Sequence, residues 1–137
     1  MERASDEKHE YFDGHIYLMS GASLKHAKVA MNLAVEIGSY LKEKKCNVLA
    51  ETMRVATKTK DAYMYPDLLI YCDKEELEDD KFDTLLNPAV IFEILSPSTK
   101  SYDRGEKFYL YRSLASFKEY VVIHQNHTLV SAFFRLN

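Results

Sequence analysis

The chain has 137 residues, of which 47% are hydrophobic and 28% are charged, with a formal net charge of −3 at pH 7. This composition excludes disordered and collagen-like proteins and predicts one globular domain over residues 1–137 with no overall electrostatic attraction to nucleic acid. Its apolar stretches are far shorter than the roughly 20 residues of a membrane span, and no secretion leader opens the chain. We therefore expect a cytoplasmic protein with no membrane partner.

The first predicted elements are a β-hairpin and a helix. In "EYFDGHIYLM" the pair Asp13-Gly14 separates two runs of aromatic and β-branched residues, which is a strong signal for a hairpin turn. Ser23 is the predicted N-cap of a helix whose apolar residues recur at helical spacing up to a lysine-rich end at residues 42–45. His26 lies on the same apolar face.

Three strands are predicted next, over "NVLAETMRVAT", "YPDLLIYCD" and "AVIFEILS", with a polar turn at residues 58–62 between the first two. Residues 73–83 hold seven acids and two lysines, net −5, and predict a solvated loop or short helix. Cys46 and Cys72 lack the ligand spacing of a zinc site. We predict that both cysteines are buried thiols.

A second helix and two strands complete the predicted elements. The segment 96–99 contains Pro97 and ends the third strand, and Asp103 is the predicted N-cap of a helix. Phe108, Tyr111, Leu114 and Ala115 share one side of that helix. The final strands are "EYVVIH" and "LVSAFFR". This order predicts an α/β fold in which helices flank a mixed central sheet with an N-terminal β-hairpin.

Two carboxylates stand on neighbouring predicted strands. Asp67 follows Pro66 at the start of one strand, and Glu93 lies at the centre of an apolar run. Burying a carboxylate is unfavourable unless a metal ion or a cation compensates its charge. Pairing of the two strands would bring these carboxylates close in register, and Mg²⁺ or Mn²⁺ between them would leave coordination positions for a substrate phosphate. Asp67 also fits the cap of a turn, and Glu93 fits an ion pair with Arg54 or Lys107.

Two further side chains are candidates for the same site. Lys107 lies one turn after the predicted cap Asp103, from where its ammonium can neutralise charge on a phosphate or position an attacking water. It equally fits a surface helix pair with Asp103. His26, on an apolar helical face, fits either a site residue or a hydrogen-bonded core histidine.

Three stretches, "EYFDGHIYLMSGASLKH", "YPDLLIYC" and "FEILSPSTKSYDRGEKFYLYR", together resemble the Uma2 family, also called DUF820. Its members are bacterial, abundant in cyanobacteria, and resemble PD-(D/E)XK restriction-endonuclease-like nucleases. The most specific part is E-x-L-S-P-S-T followed by Y-D-R-x-x-K and an aromatic residue. The resemblance implies a restriction-endonuclease-like fold and a metal-dependent nuclease site, with Asp67 and Glu93 as metal ligands.

The chain departs from the nuclease pattern at several positions. Leu95 stands where the nuclease motif places its lysine, and Lys107 is the lysine that matches the family. His26 matches a family histidine near the start of the first helix, where it could contact a metal-bound water or a phosphate. His15 replaces the glutamate of the family's Asp-Gly-Glu. The chain also starts close to the hairpin and stops at Asn137, where relatives continue, which suggests truncation at both ends.

Two functions are therefore compatible with the sequence. The first is an Mg²⁺-dependent endonuclease acting on nucleic acid, with DNA as the expected substrate and a homodimer formed through an exposed sheet edge. The second is a catalytically inactive nuclease-fold protein that acts as a binding or assembly subunit. For the first, we expect the Lys107 ammonium within about 6 Å of the Glu93 carboxylate. We also expect Lys107 to lie at a cleft and to contribute little to stability.

Overall fold

The computed structural model describes residues 2–19, 21–96 and 105–136. A 3-10 turn (Glu2–Ala4) precedes the helices α1 (Leu24–Leu41) and α2 (Glu106–Arg112). The strands are β1 (His9–Phe12), β2 (His15–Leu18), β3 (Cys46–Ala50), β4 (Arg54–Ala56), β5 (Ala62–Met64), β6 (Leu68–Cys72), β7 (Thr84–Leu85), β8 (Val90–Leu95), β9 (Glu119–His124) and β10 (Val130–Phe134). The predicted cap Asp103 lies outside the described residues.

The strands form two five-stranded sheets. The hairpin sheet has the order β2-β1-β5-β4-β7, and the central sheet has the order β10-β9-β8-β6-β3. Each is mixed, since β4–β7 and β8–β9 are parallel pairs and the other pairs are antiparallel. The predicted mixed α/β architecture with an N-terminal hairpin is confirmed, although the strands divide between two sheets.

The hairpin forms where the Asp-Gly pair predicts it. Asp13 and Gly14 both have positive φ, 51° and 76°, as a two-residue turn between twisted strands requires. Phe12 then pairs with His15 across the turn. Glycine adopts this backbone conformation without strain, and aspartate is among the few other residues that tolerate it.

Helix α1 covers one face of the central sheet. Ser23 caps it as predicted, because its Oγ accepts a hydrogen bond from the His26 N–H at 3.1 Å. The apolar face of α1 packs against the sheet through Val29, Ala30, Leu33, Ala34 and Ile37. Among the described residues, neither helix is both long and apolar enough to cross a bilayer.

The opposite face of the central sheet meets the hairpin sheet. One apolar cluster joins residues of both sheets, among them Phe12, Met64 and Ile91. Side chains along a strand alternate between its faces, so Glu93 shares this inner side with Ile91, whereas Phe92 packs on the α1 side. The backbone of β8 therefore directs Glu93 into the layer between the two sheets.

Several predicted boundaries are wrong. The run predicted as one strand, "NVLAETMRVAT", is two strands in different sheets, because the chain turns between β3 and β4 where the Met53 N–H donates to the Ala50 carbonyl. Strands β5 and β7 are short and were not predicted, because only three and two residues, respectively, pair in them. The second helix ends at Arg112, so Leu114 and Ala115 follow it.

The prediction of two buried thiols is also wrong, because Cys46 and Cys72 form a disulfide. They are direct cross-strand partners in the antiparallel pair β3–β6, with Cα atoms 4.0 Å apart. Their separation of 26 residues carries no sign of this register. The strand pairing brings them together.

Candidate functional site

A cavity of about 630 Å³ lies where the hairpin, the start of α1 and the ends of β6 and β8 meet. All four residues predicted for a site, His26, Asp67, Glu93 and Lys107, line it. They come from α1, the turn before β6, β8 and α2, so elements distant in sequence build one site.

Asp67 lies just before β6 and reaches across to β8. Strands β6 and β8 pair with Leu68 opposite Phe92, and extending this register by one position sets Asp67 opposite Glu93. The Ile94 N–H donates a hydrogen bond of 2.7 Å to Asp67 Oδ2. The predicted proximity of the two carboxylates in register is confirmed, and Asp67 is held by β8 rather than serving only as a turn cap.

His26 orients the second oxygen of Asp67. Its Nε2 lies 2.9 Å from Asp67 Oδ1, and both side chains are largely buried. In this contact the imidazole Nε2–H is the donor and the carboxylate oxygen of Asp67 is the acceptor. Of the two interpretations of His26, the structure favours a polar residue of the site, which lines the cavity and contacts Asp67.

Glu93 forms the buried ion pair that its position in an apolar strand predicts. Its Oε1 lies 2.9 Å from Lys107 Nζ and accepts a hydrogen bond from the Tyr111 hydroxyl at 3.3 Å. Burial raises the pKa of Tyr111 well above its usual range, so the hydroxyl keeps the proton that it donates. Arg54, the alternative partner, instead donates to the Thr84 hydroxyl.

Lys107 stands within the predicted distance of Glu93 and lines the cavity, as the prediction of a lysine at a cleft requires. The residue is nevertheless only 3% exposed. Its Nζ lies 2.8 Å from Glu10 Oε1 and 3.5 Å from the Tyr65 carbonyl oxygen, in addition to Glu93. The expectation that Lys107 contributes little to stability stays a prediction, and the two buried carboxylates that share its charge argue against it.

Glu10 is a residue of this cluster that sequence reasoning missed. It is 4% exposed on β1, and its Oε1 also accepts a hydrogen bond from the Tyr65 N–H at 2.8 Å. Strand alternation carried a signal, since Glu10 and Phe12 lie two positions apart and share the buried face. A glutamate on the core side of a strand points to a buried cation, by the reasoning that identified Glu93.

The donor chemistry of the cavity fits a hydrated divalent cation. Mg²⁺ usually binds one or two carboxylates and completes its shell with waters and phosphate oxygens. Asp67 and Glu93 supply two carboxylates, and each carboxylate oxygen has more than one lone pair, so the existing hydrogen bonds leave coordination possible. Within residues 2–19, 21–96 and 105–136, no group of three or more His, Cys, Asp or Glu residues is arranged to hold a metal. The site does not fit a cage made only of protein ligands.

Comparison with known proteins identifies what the chain resembles. The sequence model of the Uma2 family, described as "Putative restriction endonuclease", matches residues 1–137. A crystal structure described as a "putative nuclease belonging to DUF820", from Anabaena variabilis ATCC 29413, superposes with a TM-score of 0.79 and 16% sequence identity. The superposition covers 97% of this chain and 75% of that one. The predicted restriction-endonuclease-like fold is thus confirmed.

Two cyanobacterial relatives come from Synechocystis sp. strain PCC 6803. Uncharacterized protein slr1290 is 34% identical over 122 residues, and uncharacterized protein sll1609 is 28% identical over 124 residues. The alignments cover 89% and 90% of this chain, but 63% and 70% of those proteins. The chain therefore spans less than two thirds of the length of slr1290.

Proposed function

Because the chain belongs to the Uma2 family, we propose that it is a metal-dependent endonuclease that hydrolyses phosphodiester bonds of nucleic acid, with DNA as its substrate. One observation carries the proposal. Asp67 and Glu93 meet at opposed positions of neighbouring strands, in a cavity that also holds a buried lysine 2.9 Å from Glu93. Paired carboxylates with an adjacent ammonium suit phosphoryl chemistry, which depends mainly on positioning and charge stabilisation.

Asp67 and Glu93 are the residues proposed to hold Mg²⁺ or Mn²⁺. A bound divalent ion supplies Lewis-acid stabilisation of a phosphoryl oxygen. The protein supplies the orientation of its ligands, because His26 and the Ile94 N–H fix the Asp67 carboxylate from two sides. Partners behind a metal ligand commonly set its direction in this way, and their loss weakens metal binding.

Lys107 is proposed to stabilise the negative charge that develops on the phosphate. Its ammonium is held by fixed acceptors within a buried site, so little reorganisation is required when the phosphate becomes more negative. Leu95 leaves the usual lysine position aliphatic, and Lys107 brings a cation to the same carboxylate from α2. Tyr111 keeps Glu93 in place through its hydrogen bond.

Cleavage assays with matched variants test this function. We expect the protein to nick plasmid DNA with Mg²⁺ or Mn²⁺ and to lose activity with a chelator. Asp67→Asn and Glu93→Gln preserve side-chain shape and should each reduce cleavage by about 100-fold or more. Glu78→Gln is the control, because Glu78 is 9% exposed and accepts a hydrogen bond from Tyr63 outside the cavity.

The alternative is a nuclease-fold binding or assembly subunit without catalysis. The observation that favours it is that both oxygens of Asp67 already have protein partners, His26 and the Ile94 N–H. Calorimetric titration with Mn²⁺ separates the two functions. Heat of binding that is lost in Asp67→Asn supports the nuclease, whereas a wild-type protein without heat or cleavage supports the alternative.

We also propose that the protein acts as a homodimer, since one active site cuts one strand of a duplex. In the described part of the chain β10 is an edge strand of the central sheet. It exposes Val130, Phe133 and Phe134, and an exposed apolar edge is suited to pairing with a second copy. Light scattering should report twice the chain mass of 15.9 kDa. A monomer mass across a wide concentration range would contradict this proposal.

A further inference from the structure

We propose that Glu10 is the positioning residue of the site, holding Lys107 between the two sheets and affecting the reaction only through Lys107. The kinetic part of this inference rests on the proposed function. Its structural part does not rest on the proposed function, because the contacts of Glu10 are independent of catalysis. It concerns a residue outside the motif segments that carry the proposed metal ligands.

Glu10 and Lys107 contact each other and the main chain of Tyr65, just before β6. We call these three residues the clamp. Its Oε1 accepts from Lys107 Nζ at 2.8 Å and from the Tyr65 N–H at 2.8 Å, while Lys107 Nζ lies 3.5 Å from the Tyr65 carbonyl oxygen. Glu10 and Lys107 thus hold both polar main-chain groups of Tyr65. Pro66 follows Tyr65 and restricts its backbone to extended conformations. The clamp therefore also helps to position the backbone of Asp67, whose side chain contacts β8.

The ammonium of Lys107 needs such partners to be held in one place. A lysine has a flexible four-carbon stem and three N–H donors, and here at least three acceptors are in reach, from Glu10, Glu93 and Tyr65. Glu10 and Glu93 come from different sheets, so Lys107 is fixed from two directions. With Glu93 alone, rotation of the stem would move the charge relative to the phosphate.

A double-mutant cycle measures whether Glu10 and Lys107 act as one unit. The four proteins are wild type, Glu10→Gln, Lys107→Met and the double variant, with Glu78→Gln as the control for neutralising a hydrogen-bonded glutamate. In urea unfolding, we expect Glu10→Gln to lower the midpoint in the wild type. In the Lys107→Met background the same change should lower the midpoint less or not at all, because the ion pair that it weakens is already absent. Equal effects in both backgrounds would overturn the inference.

Chemical labelling keeps the test decisive if Lys107→Met does not fold. In the native wild type, buried Lys107 should react slowly with an amine-specific reagent, as read by mass spectrometry. Glu10→Gln should speed labelling of Lys107 at least tenfold and leave exposed lysines such as Lys58 unchanged. Unchanged labelling of Lys107 would show that Glu10 does not hold it, and would overturn the inference.

Kinetics separate positioning from direct catalysis and from metal binding. We expect Glu10→Gln to lower kcat at least tenfold, with KM and Mn²⁺ affinity unchanged, and to have no further effect on kcat in Lys107→Met. Loss of Mn²⁺ affinity in Glu10→Gln would indicate that Glu10 is a metal ligand. If the loss of kcat in the double variant equals the product of the two single losses, Glu10 acts independently of Lys107. Either result overturns the inference. If the wild type has no nuclease activity, the proposed function is contradicted and the inference is not. The unfolding and labelling results then test the contacts between Glu10 and Lys107 by themselves.

Discussion

In two clusters of this molecule one cation contacts two carboxylates, once in the interior and once at the surface. In the site, Lys107 stands between Glu10 and Glu93, with all three side chains at most 5% exposed. On the surface, Arg3 stands between Asp79 and Asp83, with side-chain exposures of 35% to 41%. In each cluster one cation contacts two carboxylates, and burial is the main difference between them, although Asp83 also lies 3.7 Å from Arg54.

The difference shows that ion-pair distance alone does not measure energetic importance. Arg3 contacts its aspartates at 2.5 to 3.1 Å, as close as the contacts of Lys107. Water and salt can replace the partners of Arg3, whereas the interior offers no such replacement to the glutamates around Lys107. The following predictions test this contrast.

Removal of the buried cation should have the largest effect. Lys107→Met leaves two buried glutamates without their shared ammonium, and we expect the free energy of unfolding to fall by about 3 to 5 kcal/mol. Arg3→Met is the matched surface variant and should shift the urea midpoint only slightly. Equal shifts for the two variants would contradict the contrast between the clusters.

Replacement of lysine by arginine in the buried cluster should have the second largest effect on stability. Lys107→Arg places a larger, planar group where three acceptors already surround Nζ, and we expect a loss of about 1 to 3 kcal/mol from overpacking. Arg3→Lys loses the forked contacts to Asp79 and Asp83 without crowding, so its thermal midpoint should stay close to that of the wild type. A Lys107→Arg protein as stable as the wild type would show that the site is roomier than the contacts indicate.

Loss of the Tyr111 hydroxyl should reduce stability less than either substitution of Lys107. Tyr111→Phe removes one hydrogen bond to Glu93 while keeping the ring in the core, and we expect the free energy of unfolding to fall by about 1 kcal/mol. Burial raises the pKa of Tyr111 well above its usual range, so its hydroxyl should not ionise before the protein unfolds at high pH. Absorbance titrations of the folded wild type and the folded variant should therefore show the same tyrosine ionisation. Disappearance of a tyrosinate step in the variant would contradict this assignment.

The surface cluster should respond most weakly, and only through pH and salt. Hydrogen bonds from Arg3 lower the pKa of Asp83 to about 2. Because this pKa is below the usual value of about 3.9, the contribution is present above about pH 4 and is lost as the pH falls through about 2. Comparison of the wild type with Arg3→Met at pH 5 and at low pH should show their small difference vanish in acid. High salt should shrink it at pH 5 as well, and a difference that persists in acid would contradict the assignment to Asp83.

The site was more predictable from sequence than the sheets that hold it. Glu93 could be recognised because a carboxylate inside an apolar run requires compensation, and Lys107 because the family motif brings a lysine to the following helix. The division of residues 46–56 between two sheets was not recognisable, since β3 and β4 have the same apolar character and only the turn after Ala50 separates them. Glu10 was missed because a four-residue strand gives too short an alternation to single out one charged residue.

The cysteines show a second limit of the sequence. Whether two half-buried thiols become a disulfide depends on the register of β3 against β6, and that register follows from which side chains pack under α1. No local pattern around Cys46 or Cys72 reports this register. The oxidation state was therefore a tertiary property, like the pairing of Asp67 with His26.

The clamp between Glu10 and Lys107 also constrains the order in which a growing chain can fold. Glu10 precedes Lys107 by most of the fold, so it is translated well before the lysine that it contacts. Until then, burial of Glu10 and Glu93 between the sheets would place two carboxylates together without their cation, which is unfavourable. The nascent hairpin and central strands should therefore remain undocked until α2 emerges.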